Sequence, residues 1–323
     1  MRALETYRGS RVLVLGGGGF VGTWVAATLA HAGADVTVSA RHPEAARSAL
    51  ARHGVRCEVR AFDLAHAGEA ARLLQALRPS VVFNLVGYGV DPSERDEALA
   101  VRLNCELVAE LSEHVQPASG WRGQTLVHAG SALEFGEQRG DFADPWTCAP
   151  TTLYGRTKLG GSAALRDITR RRGVRGVTAR LFTVYGPGEH PSRLLPTLMS
   201  ASKTEAAIPL TAGLQQRDFT YVGDVAHGLL RLGALHEAVG ERALNLATGR
   251  LTTVREFASE AARVLAIAPE RLRFGELPTR TEEMSHSPVS ISALEKALAW
   301  KPSTAIREGL HEALAFERAH PVL

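Results

Sequence analysis

Tyr154 and Lys158 stand four residues apart in the stretch Thr152-Leu153-Tyr154-Gly155-Arg156-Thr157-Lys158. On a helix that spacing puts both side chains on one face, one turn apart. An ammonium beside a phenol favours the phenolate. The pair therefore predicts a tyrosine pKa drawn down from about 10 toward neutrality. A fall of about three units corresponds to about 4 kcal/mol of differential stabilisation. A phenol so tuned can give a proton to a carbonyl oxygen, or take one from an alcohol, near pH 7. The same spacing is common on solvated helices, so the pair draws its weight from the elements around it.

The first of those elements is a nucleotide-binding turn. Arg11 to Leu15 is a short apolar run, as expected of a parallel strand covered on both faces. Gly16-Gly17-Gly18-Gly19-Phe20-Val21-Gly22 follows, with a helix expected over Thr23 to His31 and a second strand from Asp35 to Ser39. Glycines at 16, 19 and 22 permit a tight turn and close backbone approach to a pyrophosphate. The helix N-terminus then supplies amide donors and partial positive charge. An acidic residue at the end of the second strand would hold the adenosine ribose hydroxyls and favour NAD. The stretch here is Val38-Ser39-Ala40-Arg41-His42, with no carboxylate. Ser39 and Arg41 suit a 2′-phosphate, so NADP is favoured, with NAD the alternative.

Further strands are expected over Gly54–Phe62, Val81–Val86, Gln124–Ala129, Gly176–Phe182 and Ala243–Ala247. Helices are expected over Gly68–Leu77, Pro92–His114, from Tyr154 onward, from Val225 to about His236, over Thr253–Leu265, and in two closing segments, Ser292–Ala299 and Ala305–Arg318. Asp63 and Leu64 follow the third strand, where the carboxylate could accept from an adenine amino group. Leu85, Val86 and Gly87 end the fourth, where small residues admit a ribose. Asn104, among apolar neighbours, reads as a structural amide. Ser131 ends the fifth strand, at the edge where doubly wound sheets bind ligands, and can direct a substrate oxygen to Tyr154. Repeated strand–helix units imply an α/β, doubly wound parallel sheet. The Pro- and Gly-rich stretch from Tyr185 opens a smaller C-terminal substrate domain. The boundaries expected are 1–184 plus 217–250 for the dinucleotide-binding domain and 185–216 plus 251–323 for the other.

Composition narrows the class. With 323 residues, 45% hydrophobic and 22% charged, the chain can bury a large core. A net charge of +3 is too small to suggest nucleic acid, and Arg170-Arg171-Arg172 reads as a solvated helix end. No apolar run is long enough to span a bilayer, and no signal peptide is expected. Cys57, Cys105 and Cys148 lack metal-ligand spacing and read as reduced thiols of a cytoplasmic protein. The twelve histidines form no HxxxH or HExxH pair, so no metal is expected.

Taken in order, these marks resemble the extended short-chain dehydrogenase/reductase family, and within it the nucleotide-sugar epimerases, dehydratases and ketoreductases. They are GxxGxxG at 16–22, Asp63-Leu64, NLVG at 84–87, Ser131 with Phe135-Gly136, YGRTK at 154–158, RLFTVYGPG at 180–188, RDFTYVGDV at 217–225 and WKP at 300–302. The resemblance covers essentially the whole chain. It implies a Rossmann domain with Tyr154 as proton donor or acceptor. Lys158 would tune that tyrosine and hold the nicotinamide ribose, with Ser131 on the reacting sugar oxygen. It implies pyrophosphate on the backbone at Gly19, Phe20 and Val21, adenine beside Asp63 and Leu64, and nicotinamide facing Leu181. Thr183 stands where the family carries Asn. Arg193 and Leu194 border the substrate, Arg217 and Arg280 suit its diphosphate, and Glu283 a ribose hydroxyl. The partner implied is a nucleoside-diphosphate sugar. A homodimer through a four-helix bundle, Pro92–His114 with Leu153–Arg172, is implied too.

Three departures carry information. Leu15 replaces a Thr, and Gly130 replaces a small hydroxyl residue. Ala132 and Leu133 stand where the dehydratases carry Asp-Glu. Lacking that acid and base, the chain is not expected to eliminate water. The favoured activity is an NADPH-dependent 4-ketoreductase of a 4-keto-6-deoxy sugar nucleotide. The alternative is an NAD-dependent 4-epimerase, and a non-catalytic NAD(P)-binding protein is the third reading.

Overall fold

A computed structural model describes residues 2–91, 93–136, 147–237, 243–279 and 289–320. Seven parallel strands form the central sheet: β1 (Arg11–Leu15), β2 (Asp35–Ala40), β3 (Glu58–Ala61), β4 (Val81–Asn84), β5 (Leu126–Ser131), β6 (Gly176–Leu181) and β7 (Ala243–Leu246). Their spatial order is β3-β2-β1-β4-β5-β6-β7. The order reverses between β1 and β4, and such switch points open a ligand crevice at the strands' C-terminal ends. Four of the five β1 residues are buried, as are all of β4, β5 and β7, which is why these runs read as continuously apolar.

Helices α1 (Phe20–His31), α2 (Pro43–Ala51), α3 (Glu69–Leu77), α4 (97–114), α5 (Leu153–Arg172) and α7 (Val222–Gly233) cover the sheet. A separate apolar cluster gathers Tyr185, Tyr221, Phe257 and Leu310, with α6 (Leu194–Ala201), α8 (Val254–Val264) and α10 (Ile306–Ala319) around it. Phe219 and Phe257 stack at 4.1 Å within it. α9 (Ser292–Leu298) packs on β7.

The structure shifts several expected boundaries. β5 runs two residues further than expected, so Ser131 is the last strand residue, held in register with Leu181 on β6. α1 starts at Phe20, directly on Gly19. The segment read as one helix from Pro92 begins at Glu97, capped by Asp96, whose Oδ1 accepts from Leu99 N at 3.0 Å. Pro92 itself lies outside the described residues. α4 contains one π turn, Arg102–Glu106, between α-helical stretches Glu97–Val101 and Leu107–His114. Such turns rotate residues off the regular helical face. Here Arg102 and Asn104 are both buried and both hydrogen-bonded. Helices α2 and α6 carried no sequence expectation, and Leu272–Phe274 forms a strand beside Ile208–Leu210.

The glycine turn leaves no room for side chains. Gly16 adopts φ +72, and a Cβ on it would lie 3.0 Å from the carbonyl carbon of Leu85. A Cβ on Gly22 would lie 2.1 Å from the Gly16 carbonyl oxygen. Gly22→Ala should therefore lower stability by about 1–3 kcal/mol, as overpacking does, read as a lower denaturant midpoint at unchanged slope.

Candidate active site

Tyr154 lies in the first turn of α5. Thr152 caps that helix, its Oγ1 accepting from Gly155 N at 3.0 Å. The inward face of α5 then presents Gly155, Lys158, Gly161, Ser162 and Leu165. Glycines at 155 and 161 let it approach backbone: their β positions would lie 2.3 Å from Leu133 O and 2.1 Å from Asn104 O.

The tyrosine, the serine and the glycine turn converge. Ser131 lies near enough to the Tyr154 phenol to favour its ionised form. The β position of Gly87 lies 3.7 Å from that phenolic oxygen, and Gly87 continues the Leu85–Val86 backbone that touches Gly16. Asn104 pins this loop: its Nδ2 donates to Tyr88 O at 2.7 Å and to Thr157 Oγ1 at 2.9 Å, and its Oδ1 accepts from Tyr88 N at 3.0 Å. Its expected structural role is to tie the loop after β4 to α5.

The phenol is not acidified as the helical spacing predicts. Burial, then the carboxylate of Glu134, push Tyr154 above its usual range, while Ser131 and Arg193 pull the other way and Glu94 adds to the rise. In this protein the phenol holds its proton. Burial brings Lys158 down to about 8, and Glu134 opposes that fall. Lys158 is 2% exposed, and its ammonium has no hydrogen-bond partner among the described residues. His128, fully buried beneath, sits well below its usual value through burial and then the charge of Lys158.

The remaining expected residues fall as follows. Gly19 is the N-cap of α1 with no side-chain cap, so the first amides of the helix, at Phe20 and Val21, are open to an anion. The β position of Gly18 lies 3.5 Å from Ala40 Cβ, which brings the end of β2 beside the turn. There Arg41 is exposed and Ser39 is 2% exposed, leaving Arg41 as the accessible group. Asp63 takes Ala65 N on Oδ1 in a turn, and its side chain stays 57% exposed. Leu64 is buried at its side. Thr183 begins a short strand, Thr183–Tyr185, and its N donates to Asp218 O at 3.0 Å. Arg193 precedes Leu194 at the start of α6 and pairs with Glu189 at 3.4 Å. Burial raises the Glu189 carboxyl to about 7, against the pull of Arg193.

Arg217 is followed by a residue with five hydrogen bonds. Asp218, fully buried, accepts on Oδ1 from Thr220 Oγ1, Thr248 N and Thr248 Oγ1, and on Oδ2 from Gly249 N and Arg250 N. Arg280 and Glu283 lie outside the described residues. Sequence reading assigned nothing to Glu134. Its signal was available: Ser131-x-x-Glu134 is the spacing of a reciprocal cap, and both halves of that cap are formed.

These features fit a dinucleotide: an uncapped helix start behind a side-chain-free turn, and a buried ammonium in want of an acceptor. Residues 12–247 match the model of the NAD dependent epimerase/dehydratase family. The chain belongs to that family. Its members in the comparison are nucleotide-sugar epimerases, dehydratases and reductases, and the chain is of the NAD(P)-binding type. The family member dTDP-6-deoxy-L-talose 4-dehydrogenase (NAD(P)(+)) of Kitasatospora kifunensis is 27% identical over 97% of both chains. A probable dTDP-4,6-dihydroxy-2-methyloxan-3-one 4-ketoreductase of Streptomyces antibioticus is 29% identical over 76% of this chain and 71% of that one. UDP-glucuronate 4-epimerase 3 of Arabidopsis thaliana is 27% identical over 95% of this chain and 76% of its own. An uncharacterized UDP-glucose epimerase, YtcB of Bacillus subtilis, matches at 27% over 60% of each. Among solved structures, MoeE5 in complex with UDP-glucose and NAD superposes with a TM-score of 0.79 at 25% identity, over 95% of this chain and 98% of that one. Among the described residues no helix is long and apolar enough to cross a membrane, and no group of metal-ligating side chains is found.

Asp218→Asn tests the hydrogen bonds that the buried carboxylate accepts. In either orientation the new amide points its NH2 at a backbone N–H that the carboxylate now accepts. A loss of about 1–3 kcal/mol in equilibrium unfolding is expected, from a buried donor left unmade.

Proposed function

We propose that the protein is an NADPH-dependent ketoreductase that reduces the C4 carbonyl of a nucleoside-diphosphate 4-keto-6-deoxy sugar. The observation that carries this reading is the approach of the Tyr154 phenol to the loop that meets the glycine turn, 3.7 Å from the β position of Gly87, with burial keeping that phenol protonated. A protonated phenol is the acid a carbonyl reduction needs. The absence of an acidic residue at the end of β2, with Arg41 exposed there, supports NADPH over NAD. The names of the Kitasatospora and Streptomyces relatives support a 4-keto or 4-hydroxy sugar.

A nicotinamide held in this site would supply the hydride for C4. Ser131 and Tyr154 hold the C4 oxygen between their hydroxyls. Tyr154 gives that oxygen its Oη proton, completing a secondary alcohol, and recovers a proton from solvent. Lys158 holds the ribose hydroxyls on the nicotinamide side and steadies the phenolate between turnovers. Gly16, Gly19, Phe20, Val21 and Gly22 hold the pyrophosphate. Leu85, Val86, Gly87 and Leu181 wall the ribose and ring, and Asp63 and Leu64 border adenine. Arg217 and Arg193 face the sugar diphosphate, with Thr183 and Leu194 beside it. Arg280 and Glu283 complete the set by resemblance. Inward-turned Glu134, one residue past the dehydratases' pair, is locked to Arg180 and is no acid or base for water elimination. Two copies pairing through α4 and α5 would cover Val101, exposed at 36%. Three free cysteines accord with a cytoplasmic setting.

The 4-epimerase reading uses the same residues with tightly held NAD, and the Arabidopsis relative and MoeE5 favour it. Purified protein mixed with NADPH and a 4-keto-6-deoxy sugar nucleotide should consume the two in equal amounts. Retained NAD with interconversion of a UDP-hexose, and no need of added cofactor, would replace the reductase by the epimerase. Tyr154→Phe should lower turnover by about 10²-fold or more, the usual worth of a positioned general acid. Unchanged turnover would refute the proton transfer.

Affinity for NADPH should also depend on pH. Lys158 is charged below about 8 and loses its proton as pH rises through that value. Binding measured by nicotinamide fluorescence should be level below that pH and weaken above it. Lys158→Met should abolish the alkaline limb.

A further inference from the structure

Glu134 is the buried carboxylate the reading above leaves unused. Its Oε1 accepts from Ser131 N at 2.8 Å and from Ser162 Oγ at 3.0 Å, and its Oε2 accepts from Arg180 Nε at 2.7 Å. Both charged side chains are 0% exposed. The Arg180 guanidinium also lies over the Phe135 ring, 4.6 Å from its centroid. Three elements meet at this carboxylate: the end of β5, the middle of α5 and β6. It also explains the glycine before Ser131. A Cβ at Gly130 would lie 2.6 Å from Glu134 Oε1 and 3.3 Å from Arg180 Cγ.

A buried ion pair is weak evidence for stability, because apolar residues of like volume often do as well. The orientation of this pair suggests what else it does. The carboxylate binds Ser131 N and also Ser162, which lies one helical turn beyond Lys158 on the inward face of α5, so its charge sits beside both Tyr154 and Lys158. We propose that Glu134 is a positioning residue that keeps Tyr154 and Lys158 loaded with their protons, so that the site rests ready to donate to a carbonyl rather than to accept from an alcohol. The proposal rests on the reading of Tyr154 as the proton donor. It adds a bias in direction that Tyr154, Lys158 and Ser131 alone do not carry.

The groups facing the pair can be named. From β5 and its turn come Glu134 and His128; from the loop after β4, Glu94; from the start of α6, Arg193. His128 is neutral, and its Nδ1 is 3.3 Å from Asn84 Nδ2. Glu94 reinforces Glu134 at the phenol and Arg193 opposes it. Glu134 is the one that acts on both the phenol and the ammonium.

The test reads the ammonium directly. The chain has four lysines, so an NMR titration of labelled lysine is simple to assign in cofactor-free protein, with Lys158→Met identifying its signal. In Glu134→Gln the Lys158 midpoint should fall by about one unit or more, since the charge that opposes burial is gone. With any sugar nucleotide the wild type reduces, kcat should fall about threefold at pH 7.5 and about tenfold at pH 9, as the protonated fraction of Lys158 falls with a midpoint one unit lower. KM should stay within about threefold, because the amide oxygen can still accept from Ser131 N and only the acceptor for Arg180 Nε is lost. An unshifted Lys158 midpoint in Glu134→Gln overturns the proposal whatever the activity. If that variant does not fold, Glu134→Gln with Arg180→Met removes both charges together. The same downward shift supports the proposal there, and a wild-type midpoint with wild-type kcat shows a purely structural pair and overturns it. The titration needs no substrate, so failure of the ketoreductase assay would remove that function while leaving the Glu134 result to stand or fall alone.

Discussion

The structure depends on one backbone-to-backbone contact. Gly16 lies against the Leu85–Val86 peptide so closely that its β position would be 3.0 Å from a carbonyl carbon. This is where the two halves of the sheet meet, at the reversal between β1 and β4. The contact sets how far the start of α1 stands from the loop after β4. That loop is fastened in turn to α5 by Asn104, through Tyr88 and Thr157. Tyr154 is placed by this chain of backbone contacts and amide hydrogen bonds. Helix propensity alone would not place it.

The polar groups gathered beneath the candidate site are ones a folding chain would otherwise leave in water. Lys158, Glu134, Arg180, His128 and Asn84 are each 2% exposed or less. Burial of an ion costs several kcal/mol unless hydrogen bonds and countercharge offset it. Glu134 is offset by three donors. Lys158 keeps the field of Glu134, which opposes the fall that burial imposes on it. The phenol accordingly holds its proton more firmly than free tyrosine does, whereas the spacing of the pair suggested an acid near neutrality. The reversal has a plain cause. Helical spacing reports which side chains share a face. It is silent on what that face is buried against.

Much of the sheet was legible because parallel strands covered on both faces must be apolar throughout. RVLVL, VVFN and ALNL announce themselves in that way. The glycine turn was legible because only glycine tolerates its contacts. Boundaries were less so. β5 continues through Gly130 and Ser131, residues that read as a turn; the sheet keeps them because Ser131 pairs with Leu181. The π turn of α4 left no mark in the sequence beyond a buried Asn and Arg. α6 hid in a stretch with three prolines between Tyr185 and Pro196, where proline density argued for loop.

The sequence by itself determined the strand order's raw material, the nucleotide turn, and the identities of Ser131, Tyr154 and Lys158. Each rests on local rules: periodicity, steric freedom at glycine, and one helical turn of spacing. Only the tertiary structure decided the protonation state of the phenol and the meaning of Glu134 and Arg180. Those two lie forty-six residues apart, and their charges matter through distances across β5, β6 and α5. Electrostatic energy depends on separation and burial in space, and neither quantity is written along the chain.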